Sequence, residues 1–279
     1  TEASLGPERA LGQICAVMDD GLIGVGRRLE AIGVGCTGPV DPVAGVIGDV
    51  ALLPGWQGYP LRSHLEQHFK APACLENDCD AAALGEFSYG AGRGSDRFLY
   101  TTISTGIGVG IVVDGKVYRG TAGAHPELGH HTIDHSAGPD CYCGSRGCWE
   151  SLASGPAIAE WFNIQSADSP DATAADVFLK ASAGNELARR AVERFTQYLA
   201  IGLGNLITFF APDTIVLGGG VMASAPAFLE RAAGLARSRA GLVPSQSVAI
   251  RLGVLGRQAG LVGAASAAQL LNPPLEEKS

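Results

Sequence analysis

The chain has 279 residues, enough for one large core or two lobes, and its 46% hydrophobic and 17% charged residues describe a globular chain. No run approaches the roughly 20 uninterrupted apolar residues of a membrane-spanning helix. The formal net charge of −8 argues against a nonspecific nucleic-acid surface and leaves small-molecule ligands open.

Apolar spacing through Leu11, Ile14, Cys15, Met18, Leu22 and Ile23 predicts a helix within Pro7 to Ala31, broken at a glycine-rich turn. "AIGVGCTGPVDP" (31–42) reads as a short buried strand entering a Gly/Pro loop, and Leu61 to Phe69 as a short amphipathic helix. "APACLEND" (71–78) is a strand that stops at Asn77-Asp78 and hands over to a helix. "RFLYTTIS" and "GIGVGIVVDGKVYRG" are strands about a tight Ser104-Thr105-Gly106 turn, with a hairpin at Asp114-Gly115. Helices are predicted over Pro156–Phe162, Thr173–Ala183 and Glu186–Phe210. "DTIVLGGGV" (213–221) is a buried strand running into a triple-glycine turn and a further helix. "SVAIRLGVLG" is a last strand, Gly260 to Leu271 a closing helix, and Asn272 to Ser279 a frayed tail. Strands alternating with helices imply an α/β protein rich in parallel sheet.

Seven cysteines is an odd number, and Cys141, Cys143 and Cys148 crowd into eight positions. The other four, Cys15, Cys36, Cys74 and Cys79, are scattered. That usage indicates a metal site plus buried thiols in a reducing cytoplasm, not a disulfide framework. The first residues are polar, so no leader peptide is expected.

His130 with Cys141, Cys143 and Cys148 forms a compact Cys₃His set suited to tetrahedral zinc. His131 is an adjacent competitor for the histidine position, whereas His125 and His135 read as groups behind the ligands or in solvent. Glu127 precedes His130 by three residues and Glu150 follows Cys148 by two, so a folded metal loop would fix where both carboxylates point. Asn77-Asp78 could simply cap a helix. An Asp at a strand's carboxyl end also lies where α/β sheets bind ligands, and there it could take a proton from a hydroxyl nucleophile. "STGIGVG" (104–110) and "LGGGV" (217–221) are glycine-rich loops after strands whose amides can cradle phosphate. Neither fits the Walker A or dinucleotide pattern.

Together these segments resemble the ROK family of repressors and sugar kinases, over nearly the whole chain. The most specific stretch is "HPELGHH…CYCGSRGCWESLASGPAI"; "PGW" (54–56), "ENDCDAAALGE" (76–86) and "IVLGGGV" match in the same order. The resemblance implies a two-lobed actin-like ATPase (ribonuclease H-like) fold with a zinc-binding loop. The small lobe would be 1–100, joined by the helix at about 260–279, and the large lobe 101–259, with the zinc loop at 125–150. It implies an ATP-dependent kinase acting on the 6-hydroxyl of a hexose, most glucokinase-like, with structural Zn²⁺, Mg²⁺ carried with ATP, and a homodimer or homotetramer. Asp78 would be the base and Asn77 would hold neighbouring hydroxyls. Glu127 and Glu150 would accept from the sugar ring. His130 would ligate zinc and touch the sugar, with Cys141, Cys143 and Cys148 completing the tetrahedron. Thr105 and Gly106 would line the phosphates, and Gly218, Gly219 and Gly220 would border the adenosine.

The sequence departs from the family pattern in places. Ser104 and Val109 replace glycines of the usual phosphate loop, Asp80 stands where Asn is common, and the His130–Cys141 linker is one residue long of the usual spacing. The family opens with a strand and a D-x-G-G-T turn that grips phosphate; no such motif occurs here, so an opening β-unit is expected to be absent from this sequence. "HPELGH" leans toward fructokinases and the intact C-x-C-x₄-C toward glucokinases. The alternatives are a fructokinase or N-acetylhexosamine kinase, a sugar-responsive repressor, and a sugar-binding protein without catalysis.

Overall fold

The computed structural model describes residues 6–23, 25, 29–50, 52–136, 138–166, 171–224 and 228–271. The expectations for the chain start and for the tail from Asn272 lie outside them. The first helix, α1 (Pro7–Leu22), has proline in its opening turn and ends at the extended Ile23, short of the span read from periodicity. Strand β1 (Ile32–Cys36) pairs in parallel with β4 (Ala73–Asn77), and β2 (Val40–Asp41) with β3 (Val46–Ile47) forms a small antiparallel ribbon. Helix α2 (Leu61–Phe69) buries Leu61 and Leu65 and stops where Lys70 turns left-handed, at φ 54°. Ile32, Ile47, Trp56, Leu65 and Leu75 share the core of this first part.

Helix α3 (Asp78–Tyr89) continues directly from β4 and buries Cys79 through Glu86. The closing helix α10 (Ala259–Gln269) lies across it and across β1. Glycine permits both crossings. A Cβ on Gly263 would sit 1.5 Å from the Ala81 carbonyl oxygen, and one on Gly33 1.8 Å from that of Ala264. The chain's last described helix therefore packs back against its first strand.

The second sheet has the order β7-β6-β5-β8-β9. It comprises β5 (Arg97–Ile103), β6 (Ile107–Val113), β7 (Lys116–Val117), β8 (Thr214–Gly218) and β9 (Ala249–Leu252). Parallel pairing holds for β5–β8 and β8–β9, while β6 and β7 run antiparallel, so this sheet is mixed. Asp114 and Gly115 both take positive φ, 49° and 76°, as a two-residue hairpin requires.

On one face lie α4 (Trp149–Ala153), α5 (Gly155–Gln165), α6 (Ala174–Ser182), α7 (Glu186–Phe210), α8 (Gly220–Ser224) and α9 (Leu229–Arg239). Periodicity alone missed α4, because Ser154 breaks the run by capping α5 through Ala157 N–H. Helix α6 is held by a Thr173–Asp176 capping box. Helix α7 buries Val192, Phe195, Leu199, Leu203 and Ile207, and its Gly202 leaves room for Trp149, which is fully buried.

Candidate functional site

Apolar β4 ends where Asn77 turns its side chain onto the start of α3. Asn77 Oδ1 accepts from Cys79 N–H at 2.8 Å and from Asp80 N–H at 3.4 Å. The capping role is thus real, and it leaves the next residue, Asp78, exposed at the carboxyl end of the strand. Although it opens to solvent, Asp78 sits deep enough among protein atoms that lost solvation raises its carboxyl pKa, with the Cys79 N–H and the nearby His125 opposing the rise. Glu76 on β4 pairs with Arg119. Asp80, in the first turn of α3, accepts from His125 Nδ1 at 2.9 Å. The expectation that His125 stands behind the metal ligands or in solvent is corrected here: its side chain is 7% exposed, Asp80's 3%, and its partner is on α3. Burial works against charge on His125. The Asp80 hydrogen bond and the fields of Asp80, Glu127 and Asp78 outweigh it and raise the imidazole pKa.

The predicted metal ligands come together. One donor atom each from His130, Cys141, Cys143 and Cys148 lies within 4.8 Å of all the others. Cys141 Sγ is 3.4 Å from His130 Nδ1, and Cys143 Sγ is 3.5 Å from Cys148 Sγ. Tetrahedral zinc with Zn–S of about 2.3 Å and Zn–N of about 2.0 Å needs neighbouring donors roughly 3.5–3.8 Å apart. The residues fit that ion. Of the two adjacent histidines, His130 points Nδ1 into the cluster. His131 instead packs its ring on Trp149 and Phe209 and bonds the Leu128 carbonyl through Nδ1.

With Nδ1 turned to the thiols, His130 Nε2 faces the opposite way. It lies 3.8 Å from Glu150 Oε1 and 3.0 Å from the Tyr142 hydroxyl. Glu150, on α4, also reaches the glycine turn between β5 and β6: its Oε2 accepts from Ile107 N–H at 2.8 Å. Gly106 lets the carboxylate come this close, since a Cβ would lie 2.5 Å from that oxygen. Glu127 is exposed, at the entry to a short 3-10 turn over Leu128–His130. Gly129 lets that turn press onto β6, where a Cβ would meet the Ile107 carbonyl oxygen at 1.8 Å.

Both glycine loops meet at one place. In the first, Ser104 N–H donates to Gly106 O at 2.9 Å, leaving Thr105 exposed at the tip, and Gly155 N–H donates to Ser104 O at 2.8 Å. In the second, Gly219 takes φ 89° against the end of β5, where a Cβ would lie 2.3 Å from the Ile103 carbonyl oxygen. Gly218 and Gly219 line a cavity of about 100 Å³ with Glu86, Tyr100, Met222 and Leu252, and Gly220 opens α8. A cleft of about 480 Å³ over α7 and α9 contains none of these residues.

A profile described as the ROK family matches residues 6–270. The chain belongs to the ROK family. A glucokinase of Halalkalibacterium halodurans is 34% identical over 247 residues, 84% of this chain and 74% of the relative. The xylose repressor of Bacillus subtilis is 33% identical over 211 residues, 76% of this chain and 54% of the relative, so the chain spans about half of that protein. Among solved structures, the ROK hexokinase of Thermus thermophilus is similar at TM-score 0.86 and 38% identity, covering 95% of this chain and 87% of that one. A ROK glucokinase of Streptomyces griseus, solved with glucose and AMPPNP, is similar at TM-score 0.78 and 30% identity, covering 95% and 89%.

The mixed α/β architecture is that of ROK proteins, the actin-like ATPase fold. The structure brings the four expected metal ligands together, and it adds Tyr142, Arg119, Glu86 and the His125–Asp80 pair, which sequence spacing did not bring out. Tyr142 sits between two cysteines, where only the ligands drew notice. No local spacing singled out Arg119 or Glu86. The pairing of His125 with Asp80 had one visible signal, an Asp where Asn is common.

Proposed function

We propose that this ROK protein is an ATP-dependent kinase phosphorylating the 6-hydroxyl of a hexose, glucose first among the candidates. The reading is carried by Asp78 at the β4 end, which acts on the same His125 as Glu127, together with the His130–Glu150 pair beside the metal cluster and two glycine turns, of which Gly220 faces Ser104. Phosphoryl transfer needs positioning and charge stabilisation more than covalent chemistry, and this arrangement offers both. Asp78 accepts the proton of the sugar 6-hydroxyl, and burial sets its carboxyl at a more basic value than an ordinary Asp. Asn77, Glu127, His130 and Glu150 orient the ring hydroxyls, since carboxylates and an imidazole N–H can bracket neighbouring hydroxyls. Thr105 and Gly106 receive the phosphates of MgATP, and Gly218, Gly219 and Gly220 border its adenosine. Zinc held by His130, Cys141, Cys143 and Cys148 supplies fixed geometry to the loop. That set turns His130 Nε2 away from the metal, toward the Tyr142 hydroxyl at 3.0 Å and the side of Glu150 where the sugar would lie.

The small lobe, 1–100 with the closing helix, and the large lobe, 101–259, meet over this site in the proposed enzyme, a cytoplasmic homodimer or homotetramer. Among the described residues no helix is long and apolar enough to cross a membrane. The second reading is a sugar-responsive repressor, favoured by the 33% identity with the xylose repressor. ADP release from MgATP, measured with glucose, mannose, fructose, N-acetylmannosamine and xylose, separates them. Turnover on a hexose supports the kinase; sugar binding with no turnover on any of the five sinks it in favour of a sensor.

A further inference from the structure

Two charge pairs flank the β4–α3 junction that carries Asn77 and Asp78. Glu76, just before it, pairs with Arg119; Asp80, just after it, pairs with His125. Both basic partners lie on the one segment that leads from β7 to Glu127 and the metal loop. Within that segment a three-residue turn at Thr121–Gly123 holds Ala122 and Gly123 at positive φ, and Gly120 N–H donates to Ala124 O at 2.7 Å. The segment is thus a compact loop fixed to the end of β4 through Arg119 and to the start of α3 through His125.

The outer pair alone would anchor the loop. The inner pair does something an apolar contact could not. The His125 imidazole stands in the fields of three carboxylates, Asp80, Glu127 and Asp78. Left to themselves, these acids would repel one another across the gap, and an imidazole among them, hydrogen-bonded to Asp80 and drawn toward its charged form by all three, eases that repulsion. Burying an ion pair merely for stability is a poor bargain against a well-packed apolar pair. Here it sits between the two segments that carry Asp78 and Glu127.

We infer that His125, held by Asp80, is a positioning residue that fixes the segment carrying Glu127 against the helix start carrying Asp78, and so sets the spacing a sugar must fit. The inference rests on the hexose-binding part of the proposed function. Wild type, His125→Asn, His125→Ala, Asp80→Ala and the double variant Asp80→Ala/His125→Ala would be compared by hexose calorimetry, by KM for hexose and for MgATP, and by melting temperature. His125→Ala is expected to weaken hexose binding about 10-fold or more, the scale of one hydrogen bond to a charged group. The KM for MgATP should stay close to the wild-type value. His125→Asn, whose amide nitrogen can stand near the place of Nδ1, should recover part of the loss. The double variant should lose no more than the worse single one, as coupled partners do. Unchanged hexose affinity in a folded His125→Ala protein overturns the inference. So does a fall of hexose and MgATP affinity together with the melting temperature, the pattern of a purely structural residue. Should the alanine variant fail to fold, His125→Asn and Asp80→Asn decide by the same split between hexose and MgATP. Hexose binding without turnover in the wild type defeats the kinase assignment and leaves this affinity comparison in force; no hexose binding by the wild type overturns both.

Discussion

Glu150 joins three parts of the site, and its two oxygens can be tested separately. Oε2 accepts from the N–H of Ile107, a residue 3% exposed, and Oε1 faces His130 Nε2 at 3.8 Å. Glu150→Ala removes both and leaves the Ile107 donor without its acceptor. An orphaned buried donor costs roughly 1–3 kcal/mol. At about 2–4 °C per kcal/mol for a chain of this size class, melting should fall by several degrees. Glu150→Gln keeps a carbonyl oxygen for Ile107 and removes only the charge, so melting should fall by less than half as much. Hexose binding should weaken in both, because the carboxylate that faces His130, and that the proposed function assigns to a sugar hydroxyl, is gone in each. Differential scanning calorimetry and hexose titration on the two variants read the two roles apart. Equal destabilisation by Ala and Gln would refute the assignment of Oε2 to the turn. Full hexose affinity in Gln would refute the role of the charge.

Gly263→Ala places a Cβ against the Ala81 carbonyl, 1.5 Å away, backbone on backbone, so no rotamer relieves it. The expected loss is at or above the upper end of the ~1–3 kcal/mol of overpacking, read as a lower denaturant midpoint; an unchanged midpoint would mean α10 is not seated on α3. Cys143→Ser or His130→Ala should release zinc, measured by atomic emission, and lower the melting temperature, while His131→Asn should retain the ion; loss of zinc in the His131 variant alone would reverse the ligand assignment. For pH, burial raises the Asp78 carboxyl, and a base works only when deprotonated. Activity should therefore fall on acidification through a value above the ordinary carboxylate range near 4. The same shift means that the folded state binds this proton more tightly than the unfolded chain, so Asp78 favours folding at low pH and that contribution is lost as pH rises. An acid limb at or below the ordinary Asp value would contradict the assignment.

Local signals carried much of this fold. The spacing of Val192, Phe195, Leu199, Leu203 and Ile207 located α7, and the polar Asn77-Asp78 step marked where β4 becomes α3. Asp114-Gly115 marked the hairpin because few other pairs tolerate two positive φ values. The Cys₃His set was visible for the same reason: its members are near in sequence and chemically distinctive. What sequence could not give depends on distant partners. The α10–α3 crossing is made by glycines whose neighbours lie far along the chain, and no periodicity encodes it. His125 and Asp80 are 45 residues apart, and a lone histidine in a loop reads as solvent-facing until the fold closes around it. The choice between His130 and His131 turned on ring orientation, which spacing leaves open.

The most direct test of the account is the product itself. Wild type and Asp78→Asn would be incubated with MgATP and the preferred hexose, and phosphorus NMR would identify the phosphorylated sugar. The account predicts hexose 6-phosphate from the wild type and almost none from Asp78→Asn, with hexose binding retained by the variant. A sugar that binds and is never phosphorylated, or an Asp78→Asn protein that keeps the wild-type rate, would contradict it.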